Sequence, residues 1–450
     1  MKEKLNILVF AYVFPPDAGS GTYRTLYFAN HWARQGDDVT IVTVDERCFL
    51  ATALIDRNLT NEVDPSIRVV RATAKRPLQG LLAIKSVFRR KTTANVEMDL
   101  GGKISPERKS SQKQGILQLV KDTITDLLSC PDEHIGWVPD AVRHAYRITK
   151  SKPIDCIYAT GGPWSCLLAA LILRKLRDIP LVLDFRDPWI SNPNMSLRSP
   201  LSRWVQRKLE PMCVNASSIV IANTEELRHD FIMRYPDIGP GRFITVTNGF
   251  EAIPRRADFS TEKFTLVHAG ALYHSRNPLN FLRAVIELVN EGAIPAKVFR
   301  VQLVGGVSVA DPAVESELRS KVLRDVLEIS PRVTHDKALA LQQRANALLL
   351  IQTGFPLQVP RKMYEYLSLA RPILAIAEPD SATAKMVNKL RAGYVVGDDI
   401  IAIKQAILRL YQDWKTGTTP SLDEERLPMY SNQYLANRLR DAMRRLVSID

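Results

Sequence analysis

The sequence lacks the patterns of a disulfide scaffold, a zinc protein and a membrane-spanning protein. Its five cysteines form no CxxC pair and no Cys/His cluster with zinc spacing, so we interpret them as reduced thiols of a cytosolic protein. No run approaches the roughly 18 apolar residues that a membrane-spanning helix needs. The apolar start, Leu5 to Phe14, ends in Pro15 and Pro16 without a small-residue cleavage site, which is not typical of a signal peptide. We therefore expect a cytoplasmic protein.

Acidic residues are scarce in one segment, between Arg71 and Lys121, where twelve basic residues face only three acidic ones. This segment carries most of the formal net charge of +13. Such an excess favours a polyanionic partner, either an anionic membrane surface or a nucleic acid. The alternative is a solvated insertion without a partner. Because no RNA- or DNA-binding motif accompanies the segment, we expect no nucleic acid partner.

Short apolar strands alternate with amphipathic helices along most of the chain. A length of 450 residues exceeds one compact core and predicts two domains. Strands at 6–12 and 39–44 flank a helical pattern at 22–35, which indicates a βαβ unit and a parallel sheet. A second strand–helix series starts at residue 264. The pattern predicts an α/β protein with two doubly wound, Rossmann-like domains, and the cleft between them is the expected ligand site.

The predicted domain boundaries follow breaks in this alternation. The first domain covers residues 1–250 and contains the basic insertion, about residues 75–115. Residues 249–263 resemble a linker, and the second domain covers residues 251–425. Residues 426–450 are expected to contain a terminal helix that packs back on the first domain.

A glycine-containing loop follows the first strand and precedes the first helix. The backbone N–H groups of Gly19 and Gly21 and the helix dipole favour an anion there, typically a phosphate. A dinucleotide-binding loop is one alternative, although Arg24 stands at the place of the third glycine and six residues separate the strand from Gly19. A glycine-rich turn without a ligand is another alternative.

A second charged pair lies in the segment QVPRKMYEYLSLARPILAIAEPD, residues 358–380. Lys362 and Glu365 are three residues apart, so they share one face of a helix. The lysine can neutralise a phosphate, and the carboxylate can accept hydrogen bonds from ribose hydroxyls. The alternative is an ordinary surface ion pair.

These motifs together resemble the GT-B glycosyltransferases, in particular the retaining type of family 4. The resemblance covers nearly the whole chain. It rests on ILVFAYVFPPDAGSGTYR after the first strand, TNGF at the domain junction, VHAGALYHSRNP and PRKMYEYLSLARPILAI. The last of these is the most specific, and it is most similar to sugar transferases of bacterial surface-polysaccharide assembly.

The resemblance implies which residues contact the donor, a nucleotide-diphosphate sugar. The glycine loop would close on its diphosphate and sugar, Arg276 would bind phosphate, and Glu365 would hold the ribose. Lys362 would supply a cation that the family often places just after Arg276. The implied donor-binding residues are Gly19, Ser20, Gly21, Arg276, Arg361, Lys362 and Glu365. One departure is Leu357, which stands where the family commonly has a glutamate near the donor sugar. Members with a KxxEY pattern resemble this sequence more, so we do not interpret Leu357 as inactivation.

The resemblance also implies candidates for catalysis and acceptor binding in the first domain. Arg186 and Asp187 lie in DFRDPW, which is similar to an RDxW segment of family members, and they are the predicted catalytic residues. His134 and Trp137 are the predicted acceptor contacts. The alternatives are a capping aspartate beside a buried tryptophan, and a core tryptophan beside a surface histidine. No DxD metal motif is evident, so we expect neither a metal nor a cofactor.

The expected function is transfer of a sugar, with retention, to a lipid-linked or polysaccharide precursor. In this interpretation the basic insertion docks the enzyme as a peripheral protein on anionic lipid at the inner face of the cell membrane. A nucleotide-sugar epimerase of GT-B fold is one alternative. A membrane-binding protein with a decayed site is the other.

Overall fold

The computed structural model describes most of the chain. The described residues are 3–50, 53–75, 123, 126–251, 262–273, 276–309, 311–418 and 420–448. The predicted basic insertion lies outside them except for Lys75, and so does most of the predicted linker. The chain divides into two compact units, Met1–Val220 with Ala442–Asp450, and Ile221–Asp441. The domain boundaries at residues 250 and 425 stay predictions.

The first sheet has seven strands in the order β3-β2-β1-β4-β5-β6-β7. The strands are β1 (Asn6–Phe10), β2 (Asp38–Val44), β3 (Arg68–Ala72), β4 (Cys156–Gly161), β5 (Leu181–Phe185), β6 (Ile219–Ala222) and β7 (Phe243–Thr245). β1 runs parallel to β2 on one side and to β4 on the other. The strand order therefore reverses beside β1, as in doubly wound sheets, whose ligands bind beyond the carboxyl ends of the strands.

The described helices around this sheet differ at their starts, and two of them begin with a side-chain cap. Thr224 accepts a hydrogen bond from the N–H of Leu227, and Ser199 accepts one from the N–H of Ser202. These helices are α1 (Ser20–Arg34), α2 (Asn58–Asn61), α3 (Val138–Ser151), α4 (Ser165–Leu176), α5 (Pro200–Ala216) and α6 (Glu225–Arg234). Gly36, with φ at +89°, follows the end of α1, where a left-handed residue commonly ends a helix.

The second sheet has six strands in the order β12-β10-β8-β13-β14-β15, and β9 pairs with β11 beside it. The strands are β8 (Phe264–Ala269), β9 (Leu272–Tyr273), β10 (Phe299–Val304), β11 (Val307–Ser308), β12 (Leu327–Ser330), β13 (Ala347–Ile351), β14 (Ile373–Ile376) and β15 (Gly393–Val396). Successive residues of β13 face different cores, because Leu349 packs with one buried cluster and Leu348 and Leu350 with another. The sheet is thus covered on both faces, as parallel sheets usually are.

The helices of the second half alternate with these strands or follow them along the chain. They are α7 (Leu279–Asn290), α8 (Pro312–Leu318), α9 (Lys321–Val326), α10 (His335–Arg344), α11 (Arg361–Leu369), α12 (Ala382–Lys389), α13 (Ile400–Thr416) and α14 (Asn432–Val447). The last turns of α14 belong to the first unit, where Met443 Sδ lies 3.6 Å from Cys156 Sγ of β4. None of the described helices is long and apolar enough to span a membrane.

The predicted α/β class with two parallel-stranded sheets is confirmed. The sequence interpretation did not identify β3 and β12. Both are edge strands with mainly half-buried or exposed residues, in the sequences RVVRA and LEIS, so neither has the continuous apolar run of a central strand.

Candidate active-site residues in each unit

The predicted glycine loop lies at the N-terminus of α1, beyond the carboxyl end of β1. Asp17 Oδ1 accepts a hydrogen bond of 2.7 Å from the N–H of Gly19, and the Thr22 hydroxyl donates to the Asp17 carbonyl. Burial raises the pKa of Asp17, and the Gly19 hydrogen bond and the nearby His134 oppose this rise. The loop therefore contains a buried carboxyl group as well as the predicted glycines.

Arg186 crosses directly over this loop. Its Nε donates to the Gly161 carbonyl at 2.8 Å, and its Nη2 donates to the Gly162 carbonyl. A Cβ atom on Gly21 would come within 2.8 Å of the Arg186 Cζ, closer than Cβ contacts normally allow. Gly21 is therefore required for the guanidinium to lie where it does. The sequence did not reveal this contact, because it joins the first helix to a loop after β5.

A cavity of about 260 Å³ opens beside these residues. Its lining includes Asp17, Ser20, Gly21, Arg186 and Asp187. The structure thus brings the predicted glycine loop together with both predicted catalytic residues. Their catalytic and donor-binding roles stay predictions.

A buried charge network supports this part of the first unit, and the sequence interpretation did not identify it. Arg24 binds Asp184 through two hydrogen bonds, at 2.8 Å from Nε and 2.9 Å from Nη2. The Tyr158 hydroxyl donates to the same carboxylate at 2.5 Å. Asp184 is fully buried, so this network ties α1 to β4 and to the end of β5, two residues before Arg186. Arg24 was noted in the sequence only as a departure from the dinucleotide-binding pattern.

A second cavity in the first unit has a volume of about 500 Å³. Asp132, Glu133, His134, Trp164 and Arg198 are among the residues that line it. The His134 ring packs on Tyr12 with ring centres 4.1 Å apart. Trp164 stacks on the buried Trp189 at 5.0 Å, with ring planes only 2° apart. The cavity therefore combines one half-exposed indole with several charged groups.

The structure corrects the prediction for Trp137. This side chain is fully buried and packs edge-on against Phe10 and Tyr12, at 6.3 and 5.5 Å between ring centres. A direct acceptor contact is therefore not its role. Its neighbour in sequence, His134, does line the cavity. The sequence did not distinguish the two residues, because burial depends on tertiary packing.

In the second unit, Lys362 is held by His268 at the carboxyl end of β8. His268 is fully buried, and its Nδ1 lies 2.9 Å from the Leu349 carbonyl, which can only accept a hydrogen bond. The Nε2 atom therefore carries the lone pair and accepts from the Lys362 ammonium at 3.1 Å. This contact fixes the position of the lysine cation, and the sequence did not indicate it.

Burial and, to a smaller extent, the positive charge of Arg276 lower the pKa of Lys362 to about 7, while Glu365 opposes both effects. Burial and Lys362 likewise lower the pKa of His268 well below its usual value. Among the residues that the structure describes, no carboxylate lies within 4.0 Å of the Lys362 ammonium. The predicted cations Lys362 and Arg276 are thus close enough to repel each other. An anionic ligand would relieve that repulsion.

Arg276 lies against the loop that follows β13. Its Nε donates to Gln352 Oε1 at 3.2 Å, and its guanidinium carbon lies 5.3 Å from the centre of the Phe355 ring. The same loop is anchored by a residue that the sequence interpretation missed, because the N–H of Gly354 donates to Glu378 at 2.7 Å.

Two glycines keep the space around Lys362 narrow. A Cβ atom on Gly270 would lie 2.9 Å from the Lys362 ammonium, and one on Gly305 would lie 2.7 Å from the Gly270 backbone. Both residues have φ values in the region that favours glycine, at +125° and +114°. The ends of β8 and β10 therefore approach each other too closely for side chains.

The alternative interpretation, an ordinary ion pair between Lys362 and Glu365 on α11, is wrong. Glu365 pairs instead with Arg361, four residues before it on the same helix. Both partners keep about a fifth to a quarter of their side-chain surface exposed. Glu365 is therefore positioned by Arg361, and Lys362 by His268.

A family model described as Glycosyltransferase Family 4 matches residues 106–252. No curated protein matches the chain.

Solved structures of similar fold cover nearly the whole chain. Sucrose-phosphate synthase from Thermosynechococcus elongatus has 14% identity and a TM-score of 0.63, over 99% of this chain and 100% of that one. HepE of Anabaena, solved with UDP, has 15% identity and a TM-score of 0.58, over 98% and 99%. WaaG, a glycosyltransferase involved in lipopolysaccharide biosynthesis, has 12% identity and a TM-score of 0.56, over 97% and 99%. Sequence identities this low establish a similarity of fold and nothing more specific.

The chain has the GT-B fold and is similar to the family-4 glycosyltransferases, as the sequence predicted. It is a glycosyltransferase.

We expect Gly21→Ala to lower transferase activity by about a hundredfold without unfolding the protein. The added methyl group would push the Arg186 guanidinium off the Gly161 and Gly162 carbonyls, and small displacements of catalytic groups can cost that much in rate. Sugar transfer and thermal unfolding are the measurements. Gly241→Ala is the matched control, because no atom lies within 4 Å of the added Cβ there. Equal activity in the two variants would contradict the prediction.

Proposed function

We propose that the protein transfers a sugar, with retention, from a nucleotide-diphosphate sugar to a saccharide of a lipid-linked or polysaccharide precursor. The observation that carries this proposal is the Lys362–His268–Arg276 arrangement at the carboxyl end of β8. Two cations lie side by side there, and one of them is buried enough to have its pKa lowered to about 7. A diphosphate would pair with both cations, and Glu365 would accept hydrogen bonds from the ribose.

In the proposed reaction, the bond between the anomeric carbon and the β-phosphate oxygen breaks. The nucleoside diphosphate leaves with the electron pair of that bond. An acceptor hydroxyl oxygen bonds to the anomeric carbon, and its proton is released to solvent water. Negative charge grows on the departing phosphate in the transition state, and Lys362 and Arg276 would stabilise it. We propose that no metal is needed for this step, and chelation with EDTA is expected to leave the rate unchanged.

We propose that the 500 Å³ cavity of the first unit binds the saccharide acceptor. The flat face of Trp164 suits a sugar ring, and Asp132, His134 and Arg198 offer groups that hydrogen-bond to hydroxyls. Asp132 is already fixed, because it accepts from the backbone N–H of Ser165 at 2.9 Å and from its hydroxyl at 2.6 Å. Asp187 and Arg186 would contact the transferred sugar or the acceptor.

We expect Trp164→Ala to raise the acceptor KM about tenfold while leaving nucleoside diphosphate binding unchanged. Methyl glycosides of common hexoses serve as acceptor substitutes in the assay. Trp164→Phe keeps an aromatic ring on Trp189 and is expected to recover most of the loss. A loss of equal size in both variants, or weaker nucleotide binding, would speak against a stacking role.

Thermal unfolding in the presence of UDP, GDP, ADP or dTDP tests the donor site. A ligand that binds only the folded state raises the unfolding temperature, so one nucleotide is expected to give the largest shift. Lys362→Met and Glu365→Ala are expected to abolish that shift. Lys389→Met, at an exposed position of α12, should leave it unchanged. If none of the four nucleotides shifts the wild-type protein, the proposed donor site is wrong.

Nucleoside diphosphate affinity is expected to fall as pH rises from 7.5 to 9.5. In the free protein Lys362 loses its proton near pH 7, whereas the bound diphosphate raises its pKa, so the complex takes up a proton. The affinity falls by up to about tenfold per pH unit in this window. Calorimetry in buffers of different ionisation enthalpy measures the uptake, and Lys362→Met should abolish it. In the free protein the same lowered pKa gives the opposite trend, with stability rising between pH 7 and the usual lysine pKa.

We propose that the enzyme works as a peripheral protein on the inner face of the cell membrane, where lipid-linked acceptors are found. The basic composition between Arg71 and Lys121 supports this proposal, since cationic segments are attracted to anionic lipid. The name of WaaG, one protein of similar fold, refers to lipopolysaccharide biosynthesis.

A further inference from the structure

Helix α5 carries large apolar side chains on its exposed side. Leu201, Trp204 and Met212 are 43%, 60% and 44% exposed. Together with Lys208 they follow a spacing of three, seven and eleven residues from Leu201, which places all four on one face of the helix. We call this set the α5 face.

The opposite side of α5 is buried and largely polar. Gln206 accepts from the indole N–H of Trp189 at 2.8 Å and donates to Ser202 at 3.1 Å. Glu210 accepts from the N–H of Ile190 at 2.9 Å. A surface helix normally turns its apolar side to the core and its polar side to water. The polar side of α5 is buried and makes these hydrogen bonds inside the unit. Its apolar residues point outward and therefore do not contribute to the core.

The charges that α5 presents to solvent are all positive. Arg203, Arg207 and Lys208 reach the surface, whereas Glu210, the helix's one acidic residue, is fully buried. A surface on which apolar residues are flanked only by cations suits a membrane that contains anionic lipid. The apolar side chains can enter the headgroup region, and the cations are attracted to the lipid phosphates. A protein partner of mixed charge would not require this uniformity.

A second exposed apolar pair continues the surface at the start of α5. Leu127 and Leu128 are each more than a third exposed. Their neighbour Asp126 accepts from the N–H of Ser199, the residue that caps α5, and from Arg198, both at 2.7 Å. These contacts hold the leucine pair beside the first turn of α5.

We propose that the α5 face, with Leu127 and Leu128 beside it, is the surface that docks the enzyme on anionic lipid. Trp204 and the leucines enter the headgroup region, and Arg207 and Lys208 contact lipid phosphates. The inference rests on the proposed peripheral membrane association and names the surface that carries it. It is independent of the basic segment between Arg71 and Lys121, which lies almost wholly outside the described residues.

Tryptophan fluorescence tests the orientation directly. Trp32, Trp137 and Trp189 are fully buried, and Trp164 and Trp414 are partly buried. Trp204, at 60%, is the one tryptophan of the described residues in the exposed class. Vesicles of phosphatidylcholine with about a third phosphatidylglycerol should shift the emission to shorter wavelength, and brominated lipid should quench it. Pure phosphatidylcholine vesicles should do neither. The shift should disappear in Trp204→Phe.

Co-sedimentation with the same vesicles measures affinity. We expect Trp204→Ser to weaken binding roughly tenfold. Replacing Arg207 and Lys208 with glutamine should weaken it roughly fivefold per charge. Ile401→Ser is the apolar control, because Ile401 is 65% exposed on α13. Lys321→Gln with Arg324→Gln removes two exposed cations from α9 and is the charge control.

The possible results separate this inference from the proposals before it. Binding to anionic vesicles without a Trp204 shift, and undiminished in Trp204→Ser, would overturn the α5 face and leave the membrane association to another surface. Equal binding to neutral vesicles would overturn the role of charge. No binding to any vesicle would overturn both the surface and the membrane association, whereas nucleotide-dependent thermal shifts would still support the donor site.

Discussion

Replacing Lys362 with methionine is expected to lower the rate of sugar transfer by about 10²–10³-fold, the usual cost of removing one group that stabilises developing charge. Methionine keeps most of the apolar stem of the side chain and is one atom shorter, so it fits beside Gly270. The lost element is the cation that His268 holds at 3.1 Å. Arg276 alone would then face the departing phosphate.

The assay uses the nucleotide sugar whose nucleoside diphosphate gives the largest thermal shift. Lys389→Met removes a lysine from the surface of α12 and should retain full activity. The rate of Lys362→Met should also lose its dependence on pH near 7, because the group that titrates there is gone. Activity within a factor of two of wild type would show that Lys362 does not contact the leaving group.

Asp184→Asn should destabilise the first unit by about 3–5 kcal/mol, since breaking a buried ion pair leaves an uncompensated charge. Arg24 keeps only 3% of its side-chain surface exposed and its partner none, so water cannot replace the lost carboxylate. The Tyr158 hydroxyl loses a charged acceptor as well. Because Asp184 lies two residues before Arg186, activity should fall together with stability.

Thermal and urea unfolding measure this loss. The matched control is Asp45→Asn, since Asp45 binds Arg47 through the same pair of hydrogen bonds, at 2.9 and 2.8 Å, with the arginine 81% exposed. Solvent screens that pair, so its loss should barely change the unfolding midpoint. Equal unfolding midpoints for the two variants would show that burial does not increase the contribution of the Arg24–Asp184 pair to stability.

Local sequence patterns determined the elements of this fold. Continuous apolar runs such as those of β13 and β14 predict buried parallel strands. The GT-B fold and the glycosyltransferase class followed from the resemblance of short motifs, in their order along the chain, to a known family. These are properties of neighbouring residues, which a sequence records directly.

The tertiary structure alone decided which charged groups meet. The contacts of Arg24 with Asp184, of Gly21 with Arg186 and of Lys362 with His268 join residues 94 to 165 positions apart, so no local spacing indicates them. Trp137 and His134 are three residues apart in one motif, yet Trp137 is buried in the core and His134 lines a cavity. The sequence also did not indicate that the apolar side of α5 faces outward. A helical pattern shows that a helix has two faces, and only tertiary packing decides which face is buried. Site chemistry depends on distance and exclusion of water, and both arise when distant elements pack together.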